Sequence, residues 1–235
     1  MAGSGARGAQ LGWEDRALER SLADARNRSS ERARRLVASA RHLAGTGSSS
    51  FTVADVAADA GISLRSFYRH FAGRDDLLLA LFEEEAHTAV ELLGEVVGDG
   101  DEPIDRVRAC VEALCDLVVT GQGYAALLVR EHLRLGDDRS DEMRAALAPL
   151  LDLFHDELEA AAAAGDLRAV DRFDAATVLA LVLTHVQTAL LLAPEEPAPT
   201  QRIWRFCYGA LAPTAGAADR RGTEHRSRTN TEGRP

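Results

Sequence analysis

Residues 61–71 read GISLRSFYRHF. The chain has only 7 Phe, 3 Tyr and 2 Trp in 235 residues, yet Phe67, Tyr68 and Phe71 fall within five positions of one another. Arg65, Arg69 and His70 are threaded between them. A core needs apolar rings; it does not need arginine, tyrosine and histidine interleaved with them. On a helix Phe67 and Phe71 are i and i+4 and share the inward face. Leu64, Arg65, Ser66, Tyr68 and Arg69 then project outward. Ser63 has the side chain to cap this helix.

Gly61 reads as the residue just past the end of a preceding helix, where a left-handed backbone is needed. That helix opens at Thr52 with Asp55 three residues on, a capping box with Asp in place of the usual Glu. Val53, Val56, Ala57 and Ala60 form its inward set. Upstream, Ser29 or Ser30 caps a helix whose Ala33, Leu36, Val37, Ala40 and Leu43 keep helical spacing, and GTGSSS (45–50) is a loop. Downstream, Gly73 breaks the chain, and Asp75 and Asp76 open a fourth helix at its positive dipole end. Two short helices joined by a glycine turn, with a third behind, make a helix-turn-helix. Such a motif offers the first turn of its second helix to base edges and flanking donors to phosphate.

Outward from this unit the pattern is helical throughout, and the expected class is all-α with about nine helices. The spacing predicts helices from Pro103, Tyr124, Asp141, Asp174 and Thr200. The expected organisation is a flexible arm over 1–28 and a DNA-binding unit over 29–89 with its motif at 52–71. A helical body follows over 90–212. The tail 213–235 has too few apolar residues to fold. The apolar run AATVLALVLTHVQTALLLA carries Thr184, His185, Gln187 and Thr188 and reads as a buried helix, not a membrane span. No apolar leader opens the chain, which points to the cytoplasm.

Charge is divided unevenly. The net charge is −10, and all 27 basic residues are Arg. Residues 1–74 hold 12 Arg against 7 acids, a net of +5, whereas residues 75–210 hold 10 Arg against 27 acids, a net of −17. A basic N-terminal unit on an acidic body steers a polyanion to one end of the molecule. The 3 Cys (Cys110, Cys115, Cys207) have no metal-ligand spacing. Cys110 and Cys115 are i and i+5, on diverging faces. No zinc-protease, nucleophile-elbow, phosphate-loop or dinucleotide motif is present, so neither enzyme, cofactor nor metal is expected. His155 in FHDELE reads as part of a solvated face.

The stretch FTVADVAADAGISLRSFYRHFAGRDDLLLAL resembles the DNA-binding unit of the TetR family of bacterial transcriptional regulators, over residues 29 to about 89. The family pattern runs Thr-hydrophobic, then Ala-Gly-hydrophobic-Ser, aromatic-Tyr-x-His-Phe and a basic residue before Leu. The resemblance implies a homodimer that binds a near-palindromic operator in double-stranded DNA, with a small-molecule effector held among the middle helices. It implies a phosphate contact from Thr52, backbone contacts from Tyr68 and His70, and another phosphate held by Arg74. Leu64, Arg65 and Ser66 occupy the base-reading turn behind the Ser63 cap. Leu-Arg departs from the family's usual Pro-Gly or Ala-Gly there, and favours Arg65 as a bidentate guanine reader, worth about 1–3 kcal/mol of discrimination. Arg69 faces either base or solvent. Arg26, Arg28, Arg32, Arg34 and Arg35 form a solvated face, or one of them reaches phosphate or the minor groove.

Polar and aromatic residues on the apolar helices give the pocket candidates: Cys110, Tyr124, His132, Phe154 and His185, each with a plain core alternative. Val178, Val182 and Ala189, with Trp204 and Cys207, give a candidate dimer face. The function expected is a repressor released by a small lipophilic ligand. The alternative is a helical metabolite-binding or adaptor protein of the same fold that does not read DNA specifically.

Overall fold

The computed structural model describes residues 12–46, 51–97, 102–120 and 122–213. These form ten α-helices and one π-helical turn, with no strand among the described residues. The helices are α1 (Trp13–Gly45), α2 (Val53–Asp59), α3 (Leu64–Phe67), α4 (Arg74–Val96), α5 (Pro103–Thr120), α6 (Gln122–Asp138), α7 (Ser140–Ala164), α8 (Arg172–Ala180), α9 (Val186–Leu192) and α10 (Pro199–Leu211). The π turn, Leu181–His185, joins α8 to α9.

The local signals act as chemistry requires. Thr52 Oγ1 accepts from Asp55 N at 3.2 Å while Asp55 Oδ2 accepts from Thr52 N at 2.8 Å, which closes the capping box. Gly61 adopts φ +62. Its N–H donates to Ala58 O at 3.1 Å and that of Ile62 to Ala57 O at 2.8 Å, the paired bonds of a Schellman turn. Ser63 accepts from Ser66 N at 3.2 Å. The regular helix α3 is only four residues, but helical bonding continues: Tyr68 N donates to Leu64 O at 3.0 Å and Phe71 N to Phe67 O at 3.0 Å.

Two cores organise the molecule, and α4 belongs to both. The first gathers Leu36, Ala40, Val56, Phe67, Phe71, Leu77, Leu78, Leu81 and Phe82, and is closed by Leu127, Leu135, Met143 and Ala146 from α6 and α7. The second holds Ala86, Ala89 and Leu93 of α4 with residues of α5, α7, α8, α10 and the π turn. The DNA-binding unit expected over 29–89 therefore shares its core with the body. A rotation of α4 is felt in both.

The N-terminus also departs from expectation. Residues 13–28, expected as part of a flexible arm, continue α1 as regular helix. This stretch has neither Gly nor Pro and is built largely of Ala, Leu, Glu and Arg, all strong helix formers; the Ser29–Ser30 pair does not interrupt it. Residues 1–11 and the tail expected over 213–235, from 214 on, lie outside the described residues.

Candidate nucleic-acid interface and effector cavity

The reading head is assembled from α2, α3 and the turn after α3. Phe67 is fully buried, Phe71 nearly so, and their ring centroids lie 5.7 Å apart. With these rings turned in, Leu64 stands 46% and Tyr68 58% exposed. The Tyr68 ring meets Phe67 edge-on at 5.4 Å, which fixes its direction while leaving the hydroxyl outside. Thr52, Ser63, Arg65 and Arg69 are exposed and Ser66 half-buried. Arg69 Nη2 donates to Ser66 Oγ at 3.0 Å. Among the described residues nothing pairs with Arg65. His70 is half-buried, and its Nε2 is enclosed without a hydrogen-bond partner. The N-terminal side is braced by α1: Ser39 Oγ donates to Asp59 Oδ2 at 2.6 Å, and Arg35 Nη2 donates to Ala60 O.

Arg74 lies elsewhere than the resemblance implies. Its Nε donates to Phe51 O at 3.2 Å, its guanidinium sits 5.2 Å from the centre of the Phe51 ring, and its Nη2 donates to Glu131 Oε1 at 2.9 Å. In this conformation it is an internal clamp, not an open phosphate donor. Glu131, only 4% exposed, also accepts from Arg134 Nε at 2.9 Å. Arg134 grips Asp75 with two bonds, of 3.1 and 2.5 Å, and Arg139 reaches Asp76 at 3.6 Å. Burial pushes the Glu131 carboxyl up, but the two guanidiniums outweigh burial and hold it at about 2. The first turn of α4, three residues after Phe71, is thus tied by charge to α6 and the start of α7. The sequence hinted at this only through the Glu131–Arg134 spacing on one helix.

The next residue on α6, His132, faces a cavity of about 350 Å³ between α4, α5, α6, α7 and the π turn. Its walls include Phe82, Ala89, Leu114, Leu128, Leu147 and Leu183, with His132, Thr88, Thr120, Thr184 and Glu85 as polar lining. Burial depresses the His132 pKa from its ordinary value of 6.5, so the ring is neutral at neutral pH. Glu85 is taken up by Arg41 at 2.5 Å. No arginine is among the described lining residues. The π turn inserts an extra residue into the α8–α9 helix, a device frequent at functional sites. It sets Leu183 and Thr184 toward the cavity, with the Thr184 hydroxyl donating to Ala180 O at 2.5 Å.

Of the other pocket candidates, Cys110 and Phe154 are buried in the second core and line no part of this cavity, and His185 is exposed on the outer side of its helix. The side chain of Tyr124 lies outside the described residues. An i, i+3, i+4 pattern marks a helix as buried on one face; it does not say which apolar residues leave a gap between them.

Most residues expected at a dimer face are taken up inside the protomer. Val178, Val182 and Cys207 are buried within the protomer, Trp204 is half-buried, and Ala189 is exposed. Exposed apolar groups nearby are Phe173 at 78%, Leu192 at 80% and Phe206 at 68%. Apolarity, the property that singles out the inner residues, marks core and interface alike. Burial pushes the thiols of Cys110 and Cys115 up to about 12 and that of Cys207 to about 11. Among the described residues no three His, Cys, Asp or Glu converge as a metal site. Nor is any helix among them long and apolar enough to cross a membrane.

Residues 36–81 match the family model of bacterial regulatory proteins of the tetR family, which covers the helix-turn-helix and the start of α4. The match spans 46 of the chain's 235 residues. No functionally curated protein matches the chain. Solved structures share its fold. FadR, a fatty acid degradation regulator from Bacillus halodurans, aligns with a TM-score of 0.63 at 15% identity, over 75% of this chain and 98% of the other. RolR in complex with its ligand resorcinol aligns at 0.64 and 18%, over 82% and 93%. A TetR-family transcriptional regulator from Agrobacterium tumefaciens aligns at 0.58 and 24%, over 79% and 100%. At these identities the likeness is one of fold: an all-helical architecture that this chain shares with solved transcriptional regulators.

Proposed function

We propose that this chain is a dimeric transcriptional repressor that reads a near-palindromic operator and is released by a small, uncharged, lipophilic ligand. The observation that carries the DNA half of this reading is the reading head. Its two phenylalanines are spent on the core, so Arg65, Tyr68 and Arg69 are left projecting from a rigid, doubly capped turn. Arg65 would read a base edge and Tyr68 hold a phosphate, with Ser63 donating nearby; the Thr52 hydroxyl is committed to Asp55 Oδ2 at 2.7 Å.

The cavity supports the ligand half. At about 350 Å³ it is at the lower end of small-molecule pockets, roughly 300–1,000 Å³. With neutral His132, three threonine hydroxyls and the Arg41-paired Glu85 as its polar groups and no arginine among its described walls, it favours an uncharged molecule with one or two hydrogen-bonding groups. Coupling would run through α6. His132 faces the ligand and Glu131 holds Arg74, so a ligand that displaces α6 pulls on the first turn of α4 and changes the spacing of the two reading heads. A tenfold preference of ligand for the released state weakens operator binding by about 1.4 kcal/mol per coupled site.

The test is selection of duplexes from a random pool, including the region upstream of its own gene, by wild type, Tyr68→Ala and Arg65→Ala at two salt concentrations. Wild type is expected to protect two half-sites related by two-fold symmetry. Tyr68→Ala should weaken every sequence alike, and Arg65→Ala should relax one base step. Weak, sequence-blind binding by wild type would sink the proposal.

A further inference from the structure

α1 extends well beyond what the fold needs. Its buried residues begin only at Leu36, Val37, Ser39 and Ala40, and every described side chain from Trp13 to Arg32 is exposed. Twenty residues of helix at 1.5 Å per residue project about 30 Å past the body. This is not a uniformly charged rod: residues 13–24 hold four acids and two Arg, whereas residues 25–35 hold five Arg and one acid. The basic stretch is therefore the one adjoining the reading head.

Its register is fixed by two contacts. Ser39 Oγ donates to Asp59 Oδ2 and lies 3.2 Å from Val56 O, in the middle of α2, and Arg35, one turn earlier on α1, donates to Ala60 O beside the Gly61 turn. Moving toward the N-terminus along this face therefore leads from α2 to the turn that presents α3. Arg32 and Arg28 occupy the same face, three and seven residues before Arg35, about one and two helical turns beyond the glycine turn. Both are exposed, and among the described residues neither has an ion-pair partner. Arg34, on another side of the helix, lies 4.0 Å from Glu31.

We propose that Arg28 and Arg32 form a second phosphate-binding row, seating the base of the α1 extension on the DNA backbone flanking the half-site that α3 reads. The occupant is a polyanion because the row is cationic, unpaired among the described residues and contiguous with the reading turn, while residues 75–210 carry a net charge of −17. This rests on the DNA-binding reading above. It adds affinity and orientation, not base preference, since contacts to phosphate carry no sequence information of their own.

The experiment uses the full chain and the duplex that wild type selects from the random pool. Affinity is measured at several salt concentrations for wild type, Arg28→Gln/Arg32→Gln and the control Arg34→Gln, with hydroxyl-radical footprints of each. The slope of log affinity on log salt is expected to shrink by about 0.9 for each phosphate no longer neutralised, about 3.6 for two arginines in each half of a dimer. Backbone protection outside each half-site should disappear while the preferred sequence stays the same. Arg34→Gln should leave slope and flanking protection as in wild type. If the double variant keeps the wild-type slope and footprint while both proteins bind the operator, the row does not touch DNA and the inference fails alone. A changed oligomeric state with an unchanged slope overturns it too, and assigns the extension to pairing with a second copy through Leu18 and Leu22. If wild type selects no duplex, the regulator reading and this inference fall together.

Discussion

Phe67 and Tyr68 are neighbours with opposite duties. Phe67 is fully buried in the core that α1, α2 and α4 share, so truncating it removes a ring and leaves a cavity. Phe67→Ala is expected to destabilise the fold by about 3–5 kcal/mol, seen as a large fall in melting temperature. Tyr68 is 58% exposed, so Tyr68→Ala should leave stability within about 0.5 kcal/mol of wild type while operator affinity falls. If the two variants melt alike, the inward and outward faces of the reading helix have been exchanged. His132 carries a prediction of its own. Its pKa lies below 6.5 because burial disfavours the charged ring. The depressed value means that stability from the neutral ring is present above pH 6.5 and is lost as pH falls through the lower folded value. Binding of an uncharged effector, followed by calorimetry, should weaken over the same window in wild type and become flat there in His132→Gln.

Among the elements, the α2–α3 turn and the α4–α6 interlock decide how the reading head is held. Gly61 has φ +62, and a Cβ built there would stand 3.4 Å from the Arg35 guanidinium. Gly61→Ala is expected to cost roughly 1–2 kcal/mol from the left-handed backbone and to loosen the Arg35 bond to Ala60, which thermal unfolding would register. For the interlock, Glu131 is held at about 2 against an ordinary 4.5. Its stabilisation is complete above about pH 4.5 and lost as pH falls toward 2. Acid titration of wild-type stability should steepen in that window, and Glu131→Gln should flatten it; equal slopes would show that the carboxylate does not bind α4 to α6. The two devices differ in how far the sequence discloses them. The turn is local: Thr52, Asp55, Gly61 and Ser63 are spaced by rules that operate within four residues, and the residue types alone make it legible. The interlock joins Arg74 to Glu131 and Asp75 to Arg134 across more than fifty residues, and no local rule pairs them. The same limit explains why Arg74 reads in the sequence as a phosphate donor and why only His132 among the described pocket candidates lines the cavity. The early start of α1 has a different cause: capping serines at 29 and 30 look like a beginning, but a start signal inside strong helix formers is overridden.

At the scale of the whole molecule, the unequal charge has a geometric consequence. On the proposed reading, a body of net −17 would stand away from DNA while two reading heads are held about 34–36 Å apart, one helical turn of duplex. An isologous pairing of the outer faces of α9 and α10, far from α2 and α3 in the packing, meets both demands. It would cover Ala189, Leu192 and Phe206, apolar groups that a lone protomer leaves in water. Because the contact is two-fold, each substitution there acts twice. Phe206→Glu is expected to convert the dimer to monomers, measured by sedimentation, without disturbing the protomer's own cores, since Phe206 is 68% exposed. The monomer should keep weak, salt-sensitive attraction to any duplex, because its basic unit and row of α1 arginines are intact. It should lose preference for paired half-sites over single ones, because that preference comes from the fixed distance between heads and not from either head alone. A Phe206→Glu protein that remains dimeric would move the interface elsewhere; one that becomes monomeric yet still prefers the palindrome would place the pairing contact in the DNA-binding unit itself.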